Sequence, residues 1–258
     1  MVWDFGISGS SLVVGILVGL TGVGAGAAMT PLLVGVFGVP LSTAIATDLI
    51  FATVTKTVGV IVHGKSGNVD WVLARRLWAG SLPAVAVGSL VLFGLVNSGH
   101  SGVITWLLIG FVGLTSISLI QRALAPSGST AAISNRSAPR WLAPVGGAGL
   151  GLGVSLTSVG AGVLGMALLV RLSASDTSPR QLVATDLLHA IPIALVAGAS
   201  YSVSGLLDTT LLIQLLTGSI PGVILGVILS RWIPARALNL VLGLTLFALM
   251  VTLFTTLF

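Results

Sequence analysis

The sequence predicts an all-α integral membrane protein made of two inverted-topology repeats, each one broken, re-entrant helical segment plus three transmembrane helices. Three observations predict it. Hydrophobic residues make up 55% of the 258 positions and charged residues 7%, with a mean hydropathy of +1.13, which leaves too little polar surface to cover a water-soluble globule. Apolar stretches of about 20 residues, enough to cross a hydrocarbon core of roughly 30 Å as helix, recur along the chain, and the period-2 alternation of a transmembrane strand is absent. Finally, Leu20-Thr21-Gly22-Val23-Gly24-Ala25-Gly26 returns as Leu156-Thr157-Ser158-Val159-Gly160-Ala161-Gly162, identical at six of seven positions.

The first broken segment covers 11–37 and carries the first copy of that block; simple spans follow at 41–62, 72–96 and 103–120. A stretch rich in Ser, Ala and Pro at 121–140 links the halves, giving a first repeat at 1–121, a cytoplasmic linker at 122–140 and a second repeat at 141–258. The second broken segment covers 141–170, with spans at 181–200, 209–229 and 237–258. The duplication extends past the block: at an offset of 138, residues 46–90 match 184–228 at 16 of 45 positions without a gap. Chance in so biased a composition would give roughly a tenth. The anchors are Ala46-Thr47-Asp48-Leu49 against Ala184-Thr185-Asp186-Leu187, Asp70 against Asp208, and Gly80-Ser81, Pro83 and Gly88 against Gly218-Ser219, Pro221 and Gly226.

Loop charges set the orientation. Lys65, Arg75 and Arg76 surround the turn between the second and third segments, whereas the equivalent turn of the second half carries only Asp208. The pattern then reverses, because Arg171, Arg180, Arg231 and Arg236 flank turns whose first-half counterparts have no Lys or Arg. An inverted duplication obeying the positive-inside rule produces this alternation. Inversion requires each half to cross the membrane an odd number of times, so the broken segment is expected to enter and leave by one face. Both termini then lie outside and the protein sits in the cytoplasmic (inner) membrane. A continuous glycine-rich span is the other way to read the same segment.

The net charge of +5 would suggest nucleic acid in a soluble protein, but here the basic residues lie in short loops as topology signals, so no nucleic-acid partner is expected. The chain has no cysteine, which excludes disulfides, thiolate metal sites and thiol relays. Asp4 and the lack of Lys or Arg before the first apolar run argue against a cleavable signal. Neither a phosphate-binding loop nor a His-Glu-x-x-His motif occurs, and the chain contains no glutamate. The expectation is therefore not an enzyme, with no cofactor and no metal. Small-residue surfaces permit a homodimer without requiring one.

The repeated block is the first candidate for chemistry. Irregular backbone at membrane depth survives only if buried in protein or lining a wet cavity. Gly22, Gly24 and Gly26, and Gly160 and Gly162, provide such backbone, and helices starting near Ala25 and Ala161 would aim N–H groups at the cavity, a seat for an anion. Thr21, Thr157, Ser155 and Ser158 add neutral donors. The bland alternative is helix packing through small residues. Asp48 and Asp186, each preceded by Thr47 or Thr185 and about two turns inside a span, form the second candidate pair. Two roles are open to them: carrying a proton, or accepting hydrogen bonds from the loop's N–H groups and so pinning the re-entrant loop. His189, one turn beyond Asp186, could relay protons or simply be a hydrogen-bonded core residue. Lys56 could add positive charge at the site or reach to the interface.

The Leu-Thr-x-Val-Gly-Ala-Gly blocks, the twin Ala-Thr-Asp motifs and the Gly-Ser-x-Pro-x-x-x-x-Gly segments resemble, over essentially the whole chain, the TauE/SafE sulfite-exporter family of inner-membrane proteins. That resemblance implies a secondary transporter exporting a small anion such as sulfite, sulfoacetate or a related organosulfonate. The residues by themselves reach an inverted-repeat secondary transporter of an anion; together with the resemblance the expected mechanism is alternating access around the paired loops, with Asp48 or Asp186 available to couple protons. A non-transporting membrane scaffold or assembly factor, and a proton-coupled ion exchanger, are the competing classes.

Overall fold

A computed structural model describes residues 4–21, 26–63, 69–125, 139–160, 162–173, 177–230 and 232–257. These residues form helices and connecting turns. In order they are α1 (Phe5–Thr21), α2 (Gly26–Gly35), α3 (Leu41–His63), α4 (Trp71–Asn97), α5 (Ser101–Leu124), α6 (Leu142–Thr157), α7 (Val163–Leu172), α8 (Pro179–Val203), α9 (Thr209–Leu229) and α10 (Ala235–Leu257). Among the described residues six helices, α3, α4, α5, α8, α9 and α10, are long and apolar enough to cross a membrane. Both predicted broken segments are broken where the repeated block lies, giving α1 with α2 and α6 with α7.

Local chemistry accounts for the boundaries. Asp70 and Asp208, counterparts in the two halves, cap α4 and α9: each side chain accepts the N–H three residues on, from Leu73 and Leu211, both at 2.9 Å. Ser178 does the same for α8 through Gln181, with Pro179 in the first helical turn, where its missing N–H costs nothing. The prolines inside α4 and α9, Pro83 and Pro221, are counterparts too, and apolar membrane helices tolerate them when neighbours satisfy the freed carbonyls.

Packing follows the duplication. α1 lies along α9 and α6 along α4, so the first helix of each repeat packs on the fourth helical piece of the other. Both seams are made by small residues that bring backbones together. A Cβ on Gly15 would fall 2.8 Å from Ser219 Cα, and one on Gly151 would fall 2.9 Å from Ser81 Cα, the counterpart contact. α3 packs on α8 and α5 on α10.

Cross-contacts give the directions. Thr47, near the start of α3, has its hydroxyl oxygen 3.3 Å from the N–H of Asp208, just past the end of α8. Thr185, near the start of α8, accepts in the same way from the N–H of Asp70, past the end of α3, at 3.1 Å. Helices α3 and α8 are therefore antiparallel. Trp106 packs edge-on against Phe254, Ser116 bonds to the carbonyl of Gly243, and Arg236 reaches the carbonyl of Ala125, so α5 and α10 are antiparallel as well.

Each broken segment doubles back. A Cβ on Gly6, at the start of α1, would lie 3.6 Å from the ring of Phe37, just after α2. In the second half Ala143, at the start of α6, shares a cluster with Leu169 near the end of α7. The arms are unequal, 17 and 10 residues in the first segment and 16 and 10 in the second. At 1.5 Å per residue the short arms are about 15 Å long, half of a hydrocarbon core.

Candidate functional site

Asp48 stands two turns into α3 and is fully buried. Its Oδ2 accepts two hydroxyl hydrogen bonds, from Thr30 on α2 at 2.6 Å and from Ser158 at the end of α6 at 2.8 Å. One carboxylate oxygen thus joins a piece of each broken segment. Oδ1 of the same group is buried and has no hydrogen-bond partner among the described residues.

The second loop is shaped by backbone that L-residues resist. Ser158 ends α6 in the left-handed region (φ 59°, ψ −4°), its N–H bonded to the carbonyl of Val154 at 2.8 Å. Glycine usually fills this cap position, since another residue there costs about 1 kcal/mol or more. Gly160 and Gly162 follow with φ of 126° and 132°, which open the turn into α7. The hydroxyl of Thr157 is spent inside the loop: it donates to the carbonyl of Gly153 at 2.7 Å and lies 3.2 Å from the N–H of Val159, which it accepts. Ser155 is buried on the α4 seam, where a Cβ on Gly88 would lie 3.1 Å from its Cβ. Its hydroxyl bonds to the carbonyl of Leu152, and its own carbonyl accepts from the Tyr201 hydroxyl at 2.6 Å.

Asp186, on α8, is buried against the first turn of α7, where a side chain at Gly165 would collide with its Oδ1. That oxygen also lacks a hydrogen-bond partner among the described residues. Arg122, in the last turn of α5, reaches the same turn of α7 by donating to the carbonyl of Val163 at 3.3 Å, and its charge acts on Asp186. Lys56 is 2% exposed, and its ammonium acts electrostatically on Asp48, Asp186 and His189. Two buried carboxylates therefore share a membrane interior with two cations, one of each borne by α3.

His189 lies one turn beyond Asp186, with Nε2 3.1 Å from the Ser81 hydroxyl on α4 and its carbonyl accepting from the Trp78 indole at 3.2 Å. Its counterpart in the first half is Phe51, and the counterpart of Ser81, Ser219, is left with a buried hydroxyl that has no hydrogen-bond partner among the described residues. Thr47 and Thr185 are not turned to the loops: their hydroxyl oxygens accept from the N–H groups of Asp208 and Asp70 and so hold α9 and α4.

Of the residues expected to form the site, the structure gathers Asp48 with Ser158 and places Asp186 at the first turn of α7. Gly26 begins α2 and Thr21 ends α1, while Gly22 and Gly24 lie outside the described residues. Four residues at this centre escaped sequence reasoning: Thr30, Ser81, Gly165 and Arg122. Arg122 falls at the start of the expected linker, two residues past an apolar span, so nothing in the sequence ties it to a buried carboxylate. Thr30 breaks no pattern, and its counterpart Met166 gives no hint of a conserved role between halves.

Comparison with known proteins covers nearly the whole chain. The family described as sulfite exporter TauE/SafE matches residues 7–253. A probable membrane transporter protein, YjnA of Bacillus subtilis (strain 168), is 36% identical over 240 residues, which are 90% of this chain and 92% of that protein. Another from the same organism, YdhB, is 25% identical over 232 residues, again 90% of this chain and 92% of the relative. No solved structure matches the chain significantly.

Proposed function

We propose, from the premise that this chain belongs to the TauE/SafE family of multi-pass membrane transporters, that it exports a small anion such as sulfite, sulfoacetate or a related organosulfonate. Transport proceeds by alternating access around the two broken segments, and the chain acts as a carrier without enzymatic chemistry. The observation that carries this reading is the buried meeting of charge and irregular backbone: Asp48 is bonded to Ser158 in the second loop, Asp186 and Arg122 lie against the first turn of α7, and the ammonium of Lys56 acts on both carboxylates. Charges in a membrane interior are costly enough that they mark an ion or substrate path, and the start of α7 adds a helix N-terminus suited to an anion.

Lys56 and Arg122 provide the positive charge an anion requires. The aspartates offset them in its absence, and a proton taken up by one of them would link the anion gradient to the proton gradient. The antiparallel course of α3 against α8 and of α5 against α10 supports an inverted duplication, so the loops approach the centre from opposite faces of the cytoplasmic membrane. The doubling back of each broken segment supports re-entrance, with both termini outside.

Release of ³⁵S-labelled sulfite or sulfoacetate from proteoliposomes, with and without a pH gradient, tests the proposal. Asp186→Asn should alter the response to the gradient and Thr157→Val should slow release. Wild-type rates in both variants, or no release by the unaltered protein, would remove it.

A further inference from the structure

We infer that Asp48, Thr30 and Ser158 form a clasp between the two repeats, and that Thr30 and Ser158 are positioning residues that act through the carboxylate and not on the transported anion. The kinetic part rests on the anion-transport reading above; the clasp itself does not.

A hydroxyl has one proton to give. Those of Thr30 and Ser158 are both given to Asp48 Oδ2, at 2.6 and 2.8 Å, good O–H···O hydrogen-bond distances, so neither proton is left to offer an anion. The donors come from different halves, 110 residues separating Ser158 from Asp48. The next residue back, Thr47, fastens α3 to the start of α9. Two successive residues of α3 therefore tie together α2, the second loop and α9, and no displacement of α3 can leave those elements behind without breaking one of the bonds.

The hydroxyls of the clasp have no hydroxyl counterparts in the sequence of the other half. Thr30 corresponds to Met166 and Ser158 to Gly22, neither of which carries a side-chain hydroxyl, so the second half has no equivalent donors for Asp186. In their place Gly165 lets α7 approach Asp186 closely enough that a Cβ would meet its carboxylate. Ser158 also occupies a left-handed position that glycine would fill without strain. Its hydroxyl gives a serine a use there that glycine could not have. The charged group acting on Asp48 is Lys56, on the same helix, which in turn acts on Asp186 and His189 of α8; the side chains that reach Asp48 from α2 and from Ser158 are hydroxyls.

Two measurements on the full-length protein test this. In sulfite-release assays, Ser158→Gly and Thr30→Val should lower the maximal rate by about tenfold or more while leaving the half-saturating sulfite concentration within about twofold, the signature of lost positioning with binding intact. Thr30→Ser, which keeps the hydroxyl, should restore the rate. A raised half-saturating concentration at an unchanged maximal rate would mean the hydroxyls touch the anion, and would overturn the inference. Independently of any transported ion, amide hydrogen exchange of residues 26–35 and 158–166 should speed up together in Asp48→Asn and Ser158→Gly but not in the α2 residues of Asp186→Asn. Exchange unchanged in either segment would also overturn it. Thermal unfolding of Ser158→Gly should stay near the wild-type midpoint, because relief of the left-handed position offsets part of the lost hydrogen bond, so a slow variant is not merely a misfolded one. If the wild-type protein fails to move sulfite, the substrate reading falls while the exchange result still decides the clasp.

Discussion

Replacing Gly226 by alanine should destabilise the protein far more than the equivalent change at Gly88, although the two glycines are counterparts. A Cβ at Gly226 would overlap the carbonyl oxygen of Ile16 and lie 2.9 Å from both Gly19 Cα and Leu20 N. These are all backbone atoms of α1, so no rotamer change relieves them. With ordinary carbon contacts at about 3.5–4 Å, the helices must part by about 0.5–1 Å, which forfeits a quarter to a half of each contact's dispersion energy along the seam. Overpacking of this kind costs about 1–3 kcal/mol, and the upper part of that range is expected here. At Gly88 the new Cβ meets side-chain atoms: the Ser155 hydroxyl, Ser155 Cβ at 3.1 Å and Leu152 Cδ2 at 3.4 Å. Ser155 can turn its hydroxyl away at the expense of its bond to the Leu152 carbonyl, so about 1 kcal/mol is expected. Adding Ser155→Gly to Gly88→Ala should recover much of that loss, whereas at the other seam Gly19 is already glycine and offers no such relief. Thermal unfolding of the purified protein, followed by tryptophan fluorescence, measures the order. Equal midpoints for the two variants, or a lower one for Gly88→Ala, would refute this account of the seams.

Further outcomes follow from single contacts. Tyr201→Phe removes the donor held 2.6 Å from the Ser155 carbonyl and should cost about 1 kcal/mol of stability. Asp208→Ala removes the cap of α9 and should cost about 1 kcal/mol, with faster amide exchange at Leu211. His189→Phe installs the residue of the other half and strands the Ser81 hydroxyl; the loss should be about 1–3 kcal/mol and should shrink when Ser81→Ala is added, a coupling that a double-mutant cycle measures.

The architecture was legible because membrane sequences advertise their spans. All six simple spans appear as helices within a few residues of their expected ends, and both breaks fall at the Gly-rich blocks, where φ values of 126° and 132° at Gly160 and Gly162 show why only glycine would serve. The unequal arms were not legible: α1 begins at Phe5, six residues before the expected start, because apolar runs mark where a helix can lie in lipid and not where its backbone begins to coil. At the centre, Asp48, Asp186 and Lys56 stood out as charges inside apolar sequence. Their partners did not. Thr30 is one hydroxyl among many on apolar helices, and only the fold brings it to 2.6 Å from a carboxylate 18 residues on. Thr47 and Thr185, by contrast, were grouped with their neighbouring aspartates because they are adjacent in sequence, yet successive helical residues point about 100° apart and their hydroxyls serve α9 and α4.

Site-directed labelling tests the central claim most directly, because the chain has no cysteine to interfere. Ala27→Cys and Val159→Cys place single thiols at the two loops, at positions that are buried in this conformation. In proteoliposomes of defined orientation, each thiol should react with a membrane-impermeant maleimide from either face and be protected by sulfoacetate, as a wet, alternately exposed anion site requires. Thiols that stay unreactive from both faces, at rates no anion changes, would mean a dry helix junction and would contradict the account.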